Sequence, residues 1–467
     1  MQRVHPAVGL HRAARGDQGL ARDLTAEHAL ALLVGLDPPE DVQLDLLQVE
    51  QPHERVEGGL GHGRKLDAAA GVTSRPMSIT FPKGFVWGTA TAAHQVEGNN
   101  WNNDWWHWEH EPMSGCAEAS GDACDHYHRY ADDIRLLADL GFNAYRFSVE
   151  WSRIEPVEGE WSRASLDHYR RMCAACHEHG LTPIVTFHHF TTPCWATNHG
   201  GWEDPDTADR FARFCERTAQ HLGDLVGWAC TINEPNVVST LGYLAGMFPP
   251  GRRDRALRHA ANDILVDAHH KAVEALKSGP GTFPVGLTLS MTDYQAVDGG
   301  EEKRDRIRRG MEDVFLEAAR GDDFIGVQTY TRTRVGSEGA LGPEDGVETT
   351  QMGYEFWPEA LEATIRRAWD VTDHTPVLVT ENGIGTDDDT RRIEYVRRAL
   401  LGVRRCMDDG IDVRGYVYWS ALDNFEWALG YRPTFGLVAV DRETFTRTPK
   451  PSAQWLGNVA RVGTLSE

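Results

Sequence analysis

From Val86 onward, short continuous apolar runs alternate with longer segments whose apolar residues return every three or four positions. Eight such runs stand out: "FVWGTATAA" (85–93), "AYRFSVEW" (144–151), "TPIVTFHH" (182–189), "GWACTINEP" (227–235), "PVGLTLSM" (284–291), "FIGVQTYT" (324–331), "PVLVTENG" (376–383) and "GYVYWSAL" (415–422). Most lack an in–out polar alternation, as expected of strands covered on both faces in a parallel sheet. The segments between them read as helices. "DHYHRYADDIRLLADLG" puts Ile134 and Leu137 on one face and ends on Gly141, a helix C-cap residue type. "DPDTADRFARFCERTAQHL" opens on an Asp/Pro start signal and spaces Phe211, Phe214 and Cys215 helically. "EYVRRALLGVRRCMDDG" is a third, stopping at Gly410.

Eight strand–helix alternations predict an α/β fold, a (β/α)8 TIM barrel in a single catalytic domain, with its site at the C-terminal strand ends. The competing fold is an open doubly wound sheet. That fold usually opens on a Gly-rich phosphate turn, which "GFVWGTATAAHQ" does not match. Residues 1–76 differ from the rest: rich in Arg, His, Gly and Asp, poor in aromatics and weakly periodic. We expect them to be a poorly organised N-terminal extension, disordered or not native, with the barrel domain over 77–467.

Composition narrows the partners. The chain of 467 residues has 47 basic and 70 acidic side chains, a formal charge of −23. Such acidity argues against nucleic acid and anionic membranes. No run approaches the ~18 apolar residues of a membrane span. "LTAEHALALLVGLDPPEDV" is too short, too interrupted and too far in to be a signal peptide. The eight cysteines are therefore expected to be free thiols in a cytoplasmic protein. Fifteen tryptophans are many for this length. Trp packs cores, but its flat apolar face also stacks on sugars.

The polar residues at the ends of the runs form a ring: Gln95 and Glu97, Arg146 and Glu150, His188 and His189, Asn233 and Glu234, Tyr330, Glu381 and Asn382, Trp419 and Asp423. A ring of this kind at one barrel mouth suits a polar substrate. Glu234 and Glu381, each beside an Asn, stand out. Acetal hydrolysis needs two carboxyl groups flanking one bond. Strands four and seven were expected to face each other across the barrel and place them so. The same spacing also suits ordinary capping or salt-bridged carboxylates, because barrel enzymes of many chemistries put acids there.

From about Phe81 to Ala460 the chain resembles the family 1 glycoside hydrolases, the β-glucosidase family. The stretches that carry the resemblance are "FPKGFVWGTATAAHQVEG", "YRFSVEWSRI", "TFHHFTTP", "TINEPN", "VTENG" and "WSALDNFEWALGYRPTFGLVAVD", in the family's order. The resemblance implies a retaining double displacement, with carboxyl groups about 5–5.5 Å apart. Glu381 matches the family nucleophile and Glu234 its acid/base. Arg146 and Tyr330 match the residues that hold the nucleophile. Gln95, His189, Asn233 and Glu426 match the hydroxyl-binding set, Asn233 falling on the 2-hydroxyl contact. Trp419 resembles the sugar-stacking Trp and Trp427 a second pocket wall. Members that cleave 6-phosphoglycosides carry Ser and a Lys–Tyr pair where Glu426 stands, so the resemblance implies unphosphorylated small β-glycosides or short oligosaccharides, with no cofactor and no metal.

The chain departs from the family at "VQTYT", where Gln328 and Thr329 replace two residues of an Asn-Tyr-Tyr pattern, and at Phe190, where many members have Trp. "CAACH" (173–177) has the spacing of a c-type haem attachment but lies in a barrel helix. His188 and His189 are adjacent on a strand and cannot chelate one ion together. "HH" at 269–270 reads as helix surface, and "WNNDWWHWEH" as packing under a loop. The leading function is a retaining β-glycosidase of the β-glucosidase type. β-Galactosidase, β-fucosidase or transglycosylase action at the same site is the near alternative, and an inactive sugar-binding barrel the distant one.

Overall fold

A computed structural model describes residues 78–466; the expectation for residues 1–76 lies outside them. All eight apolar runs form strands: β1 (Val86–Ala90), β2 (Ala144–Ser148), β3 (Thr182–His188), β4 (Trp228–Asn233), β5 (Val285–Ser290), β6 (Phe324–Gln328), β7 (Val377–Glu381) and β8 (Val413–Trp419). They close in sequential order into one barrel, every pairing parallel. The circle corrects one expectation. β4 and β7 are three strands apart, and the strand opposite β4 is β8, because eight strands in sequential order place the fourth neighbour across.

The continuous apolar runs are explained by two cores. Outward side chains such as Val185, Phe187, Leu287, Leu289, Val327, Val379, Tyr416 and Tyr418 join the large core under the helices. Inward ones, Ala144, Ile184, Cys230, Phe324, Leu378 and Val417, fill the barrel floor, with Val86 and Trp228 packed against them. The crossover helices include α1 (His126–Leu140), α2 (Arg163–Glu178), α3 (Asp206–Leu222), α4 (Arg255–Ser278), α5 (Ala360–Val371) and α6 (Asp389–Asp408). Gly141 caps α1 at φ 116°, a left-handed conformation that glycine adopts without a Cβ penalty.

Cys173 and Cys176 of the CAACH segment are buried within α2, on the side that faces the barrel. His269 was misread as surface. It is buried on α4, its Nδ1 2.8 Å from Thr231 Oγ1 and its Nε2 3.2 Å from Asp322. The inward stripe of α4 runs Ala261, Leu265, Ala268, Ala272, and His269 sits at its edge against β4. A polar partner on the strand makes burial of an imidazole affordable there.

Two breaks in register matter for the site. The β4–β5 pairing shifts between Cys230 and Asn233, and the β6–β7 pairing shifts between Val379 and Glu381. Each shift interrupts the alternation just before a functional strand end.

Candidate active site

At the C-terminal rim the barrel interior turns polar. Arg146, fully buried on β2, organises it: Nη1 donates to Glu381 Oε1 at 2.5 Å, Nη2 to Asn233 Oδ1 at 2.5 Å, and Nε to Thr186 Oγ1 at 3.1 Å. Tyr330 donates its hydroxyl to Glu381 Oε2 at 2.6 Å. Both oxygens of Glu381 are thus held, one by a cation. Gly383, two residues on, lies so close to the chain that a Cβ there would strike the Trp419 carbonyl. The approach of the β7 and β8 ends needs glycine at that point.

Glu234 follows β4 directly, at φ 46° and ψ 58°. A left-handed residue other than Gly, Asn or Asp is a strained conformation that clusters at functional sites. Pro235 then starts a short helix at its first position, which suits its fixed φ. Burial pushes the Glu234 carboxyl well above the ordinary carboxylate range. The Glu381 charge pushes it further, against Arg146 and a hydrogen bond with Ser290. Burial also raises Glu381, opposed by the Arg146 charge and by the bonds from Tyr330 and Arg146. Only Glu381 has a cation bonded to it, so a single negative charge on the pair rests on Glu381 and the proton on Glu234.

The remaining predicted residues gather at the same rim. Asn233 Nδ2 is 3.2 Å from His189 Nε2. Burial, with Arg146 and His188 nearby, pulls the His189 imidazole well below its ordinary range, so it is neutral and Nε2 accepts from Asn233. That tautomer puts the proton on Nδ1, which has no protein partner. His189 stacks between two indoles, 5.8 Å from Trp419 and 6.2 Å from Trp427 between ring centroids. Gln95 Nε2 donates to Phe425 O at 2.6 Å and to Glu426 Oε2 at 3.4 Å, leaving its Oε1 without a partner. Asn424 donates to Glu426 Oε1 at 3.1 Å. Burial raises Glu426 well above the ordinary range, eased by a bond from Trp419 and deepened by Glu381. The peptide between Trp419 and Ser420 is cis.

Not every rim residue belongs to the pocket. Glu97 pairs with Arg153 at 2.8 Å and accepts from Tyr169 at 2.9 Å. Glu150 caps the helix after β2 and accepts from Asn100 and Thr191. Asn382 donates to Thr329 O and accepts from Tyr416, and Asp423 pairs with Lys450. These four brace the rim from behind. His188 turns outward, edge-on to Trp202 at 5.2 Å.

Two residues beside the site, His94 and Tyr354, escaped the sequence reading, and a third, Trp105, packs as expected of its segment. His94 is buried, stacks on Trp427 at 5.7 Å and contacts Glu109 at 3.2 Å, so the Trp427 indole rests on a buried imidazole. Trp105, from the tryptophan-rich segment, packs on the same Trp427 at 4.5 Å. Tyr354, on the segment after β6, has its phenol raised by burial, with Tyr395, Glu426 and Glu234 nearby. The spacing of "QMGYEFWPEA" carries no signal for that approach, because a long loop places it.

Comparison with known proteins agrees with this geometry. The Glycosyl hydrolase family 1 model matches residues 77–322 and 323–464. Beta-glucosidase A of Acetivibrio thermocellus is 32% identical over 442 residues, covering 82% of this chain and 98% of that protein. The bifunctional beta-D-glucosidase/beta-D-fucosidase of Bifidobacterium breve is 33% identical, covering 81% and 98%. Among solved structures, beta-glycosidase BGL167 is 52% identical with a TM-score of 0.78, covering 83% of this chain and 98% of that one. The Thermotoga maritima beta-glucosidase in complex with glucoimidazole is 30% identical with a TM-score of 0.78, covering 83% and 100%.

Proposed function

The chain belongs to glycosyl hydrolase family 1 and is a retaining β-glycosidase of the β-glucosidase type, and on that premise we propose the roles of its residues and its substrate class. The observation that carries the assignment is the unequal treatment of two buried carboxyls. Glu381 holds a guanidinium and a phenol, whereas Glu234 holds neither and is pushed toward its neutral form. Glu381 is the nucleophile. Its carboxylate oxygen attacks the anomeric carbon while Glu234 passes its proton to the departing glycosidic oxygen. The resulting glycosyl ester removes the negative charge beside Glu234. Its carboxylate then takes a proton from water, and the hydroxide oxygen displaces Glu381 from the sugar. Two inversions at one carbon retain the β configuration.

Gln95, His189, Asn233 and Glu426 hold the sugar hydroxyls, with Trp419 and Trp427 as walls. Glu426 puts a carboxyl that bonds sugar hydroxyls where 6-phosphoglycoside-cleaving members hold phosphate with Ser and a Lys–Tyr pair, so the substrate is an unphosphorylated β-glucoside. The fucosidase activity named for the Bifidobacterium breve relative makes β-fucosides a secondary substrate class. All eight cysteines are free thiols, which supports a reducing, cytoplasmic compartment. Among the described residues no helix is long and apolar enough to cross a membrane.

The test is Glu381→Ala with nitrophenyl β-glucoside. Turnover is expected to fall on the order of a million-fold, and azide is expected to restore it with α-glucosyl azide as product. Normal turnover, or azide product of β configuration, would overturn the assignment.

A further inference from the structure

Gln328 stands on β6 where the family pattern has Asn, and the proposed mechanism gives it no task. It is fully buried and points into the barrel, its Nε2 donating to Asn233 Oδ1 at 2.8 Å. The same oxygen receives Arg146 Nη2 at 2.5 Å and Thr288 Oγ1 at 3.2 Å. The barrel order gives these donors a direction. Asn233 is on β4; Arg146 comes from β2, two strands to one side, and Gln328 from β6, two strands to the other. A carbonyl oxygen has two lone pairs in its plane. The single Thr288 hydroxyl hydrogen also has Ile232 O within reach at 3.3 Å, which leaves the two N–H donors from opposite flanks to occupy both lone pairs and fix the amide against rotation about its last side-chain bond, a torsion that is otherwise broad.

With Oδ1 pinned, Nδ2 faces the pocket. One N–H goes to His189 Nε2 at 3.2 Å, and the other is left for a ligand. We propose that Gln328 is a positioning residue: by clamping Asn233 Oδ1 opposite Arg146, it aims the Asn233 N–H at the sugar 2-hydroxyl and so sets the enzyme's selection for that hydroxyl. The proposal rests on the assignment of Asn233 as the 2-hydroxyl contact. It deepens that reading by naming what orients the amide. The longer side chain matters, because it lets β6 reach a residue two strands away.

The experiment compares kcat/KM for nitrophenyl β-glucoside and its 2-deoxy analogue in wild type, Asn233→Ala, Gln328→Met and Gln328→Leu. Met keeps the length of Gln without its donor; Leu is a second apolar replacement in case one variant fails to fold, as checked by thermal unfolding. The Gln328 variants are expected to lose roughly tenfold of the preference for the 2-hydroxyl, the scale of one misaligned buried hydrogen bond. The loss should fall on kcat of the glucoside, with kcat of the 2-deoxy substrate little changed. Combining Gln328→Met with Asn233→Ala should cost no further selectivity. If Asn233→Ala abolishes the preference and the folded Gln328 variants keep it, the positioning role is refuted and the Asn233 assignment stands. If Asn233→Ala itself leaves the preference intact, the underlying assignment fails. Equal slowing on both substrates would mark a general packing role and overturn the proposal.

Discussion

The barrel interior has two storeys built on the same strands. The lower one is Ala144, Ile184, Cys230, Phe324, Leu378 and Val417, closed by packing such as the edge-to-face contact of Trp228 on Phe324 at 5.1 Å. The upper one is Arg146, Thr186, Asn233, Thr288, Gln328 and Glu381, all buried and tied by hydrogen bonds. On β2 the change from one to the other takes two residues. The lower storey stabilises by removing apolar surface from water. The upper one holds charges out of water, where each must be paired to be tolerated. Chemistry is concentrated where burial is least favourable, because only there are two carboxyls forced to share one charge.

The contrast can be broken from either side. The largest effect is the million-fold loss expected for Glu381→Ala, read on protein checked as folded by thermal unfolding, because the buried Arg146 is left without its carboxylate. Next is Phe324→Ala in the lower storey. It should cost about 3–5 kcal/mol of stability by leaving a cavity, read from the urea midpoint, while the ratio of glucoside to 2-deoxyglucoside turnover stays as in wild type. A changed ratio would show that the storeys are not separable. Tyr330→Phe removes one bond to a charged acceptor, about 1.5–3 kcal/mol, and should lower kcat/KM by roughly ten- to a hundred-fold. It should also raise the acidic limb of the pH–rate profile, because Glu381 loses a group that holds it ionised.

The smallest effect is on stability through Glu234. Its folded carboxyl binds its proton more tightly than the unfolded one does. The stability it contributes is full below the ordinary carboxylate range and is lost as pH rises through its own raised value. Glu234→Gln should therefore raise the unfolding temperature at pH 7 relative to wild type and leave it nearly level at pH 4. A larger gain at pH 4 would contradict the upward displacement.

Much of this was legible in the chain. Strands buried on both faces must be apolar throughout, so eight runs read as eight strands and the structure has a strand in each. Gln95, Arg146, His189, Asn233, Glu234, Tyr330, Glu381 and Trp419 were legible at the ends of the runs, where a barrel must put its site, whereas Glu426 and Trp427 were implied only by the resemblance to family 1. His94 and His269 were missed or misread for one reason: their partners, Glu109 with Trp427 and Thr231 with Asp322, lie on other elements. Tyr354 reaches the pocket on a loop, which has no periodicity to read.

The sequence by itself determined the barrel, the order of its strands and which strand ends carry carboxylates. It did not determine where those carboxylates point. Strict alternation from the inward residues Cys230 and Leu378 would turn Asn233 and Glu381 outward, toward the helices. The shifts of register in β4–β5 and β6–β7 turn both inward instead. A bulge is a property of two paired strands and leaves no mark in the spacing of one. Only once the barrel closes does Arg146 meet Glu381 and Asn233 together, and only then is one carboxyl distinguished from the other.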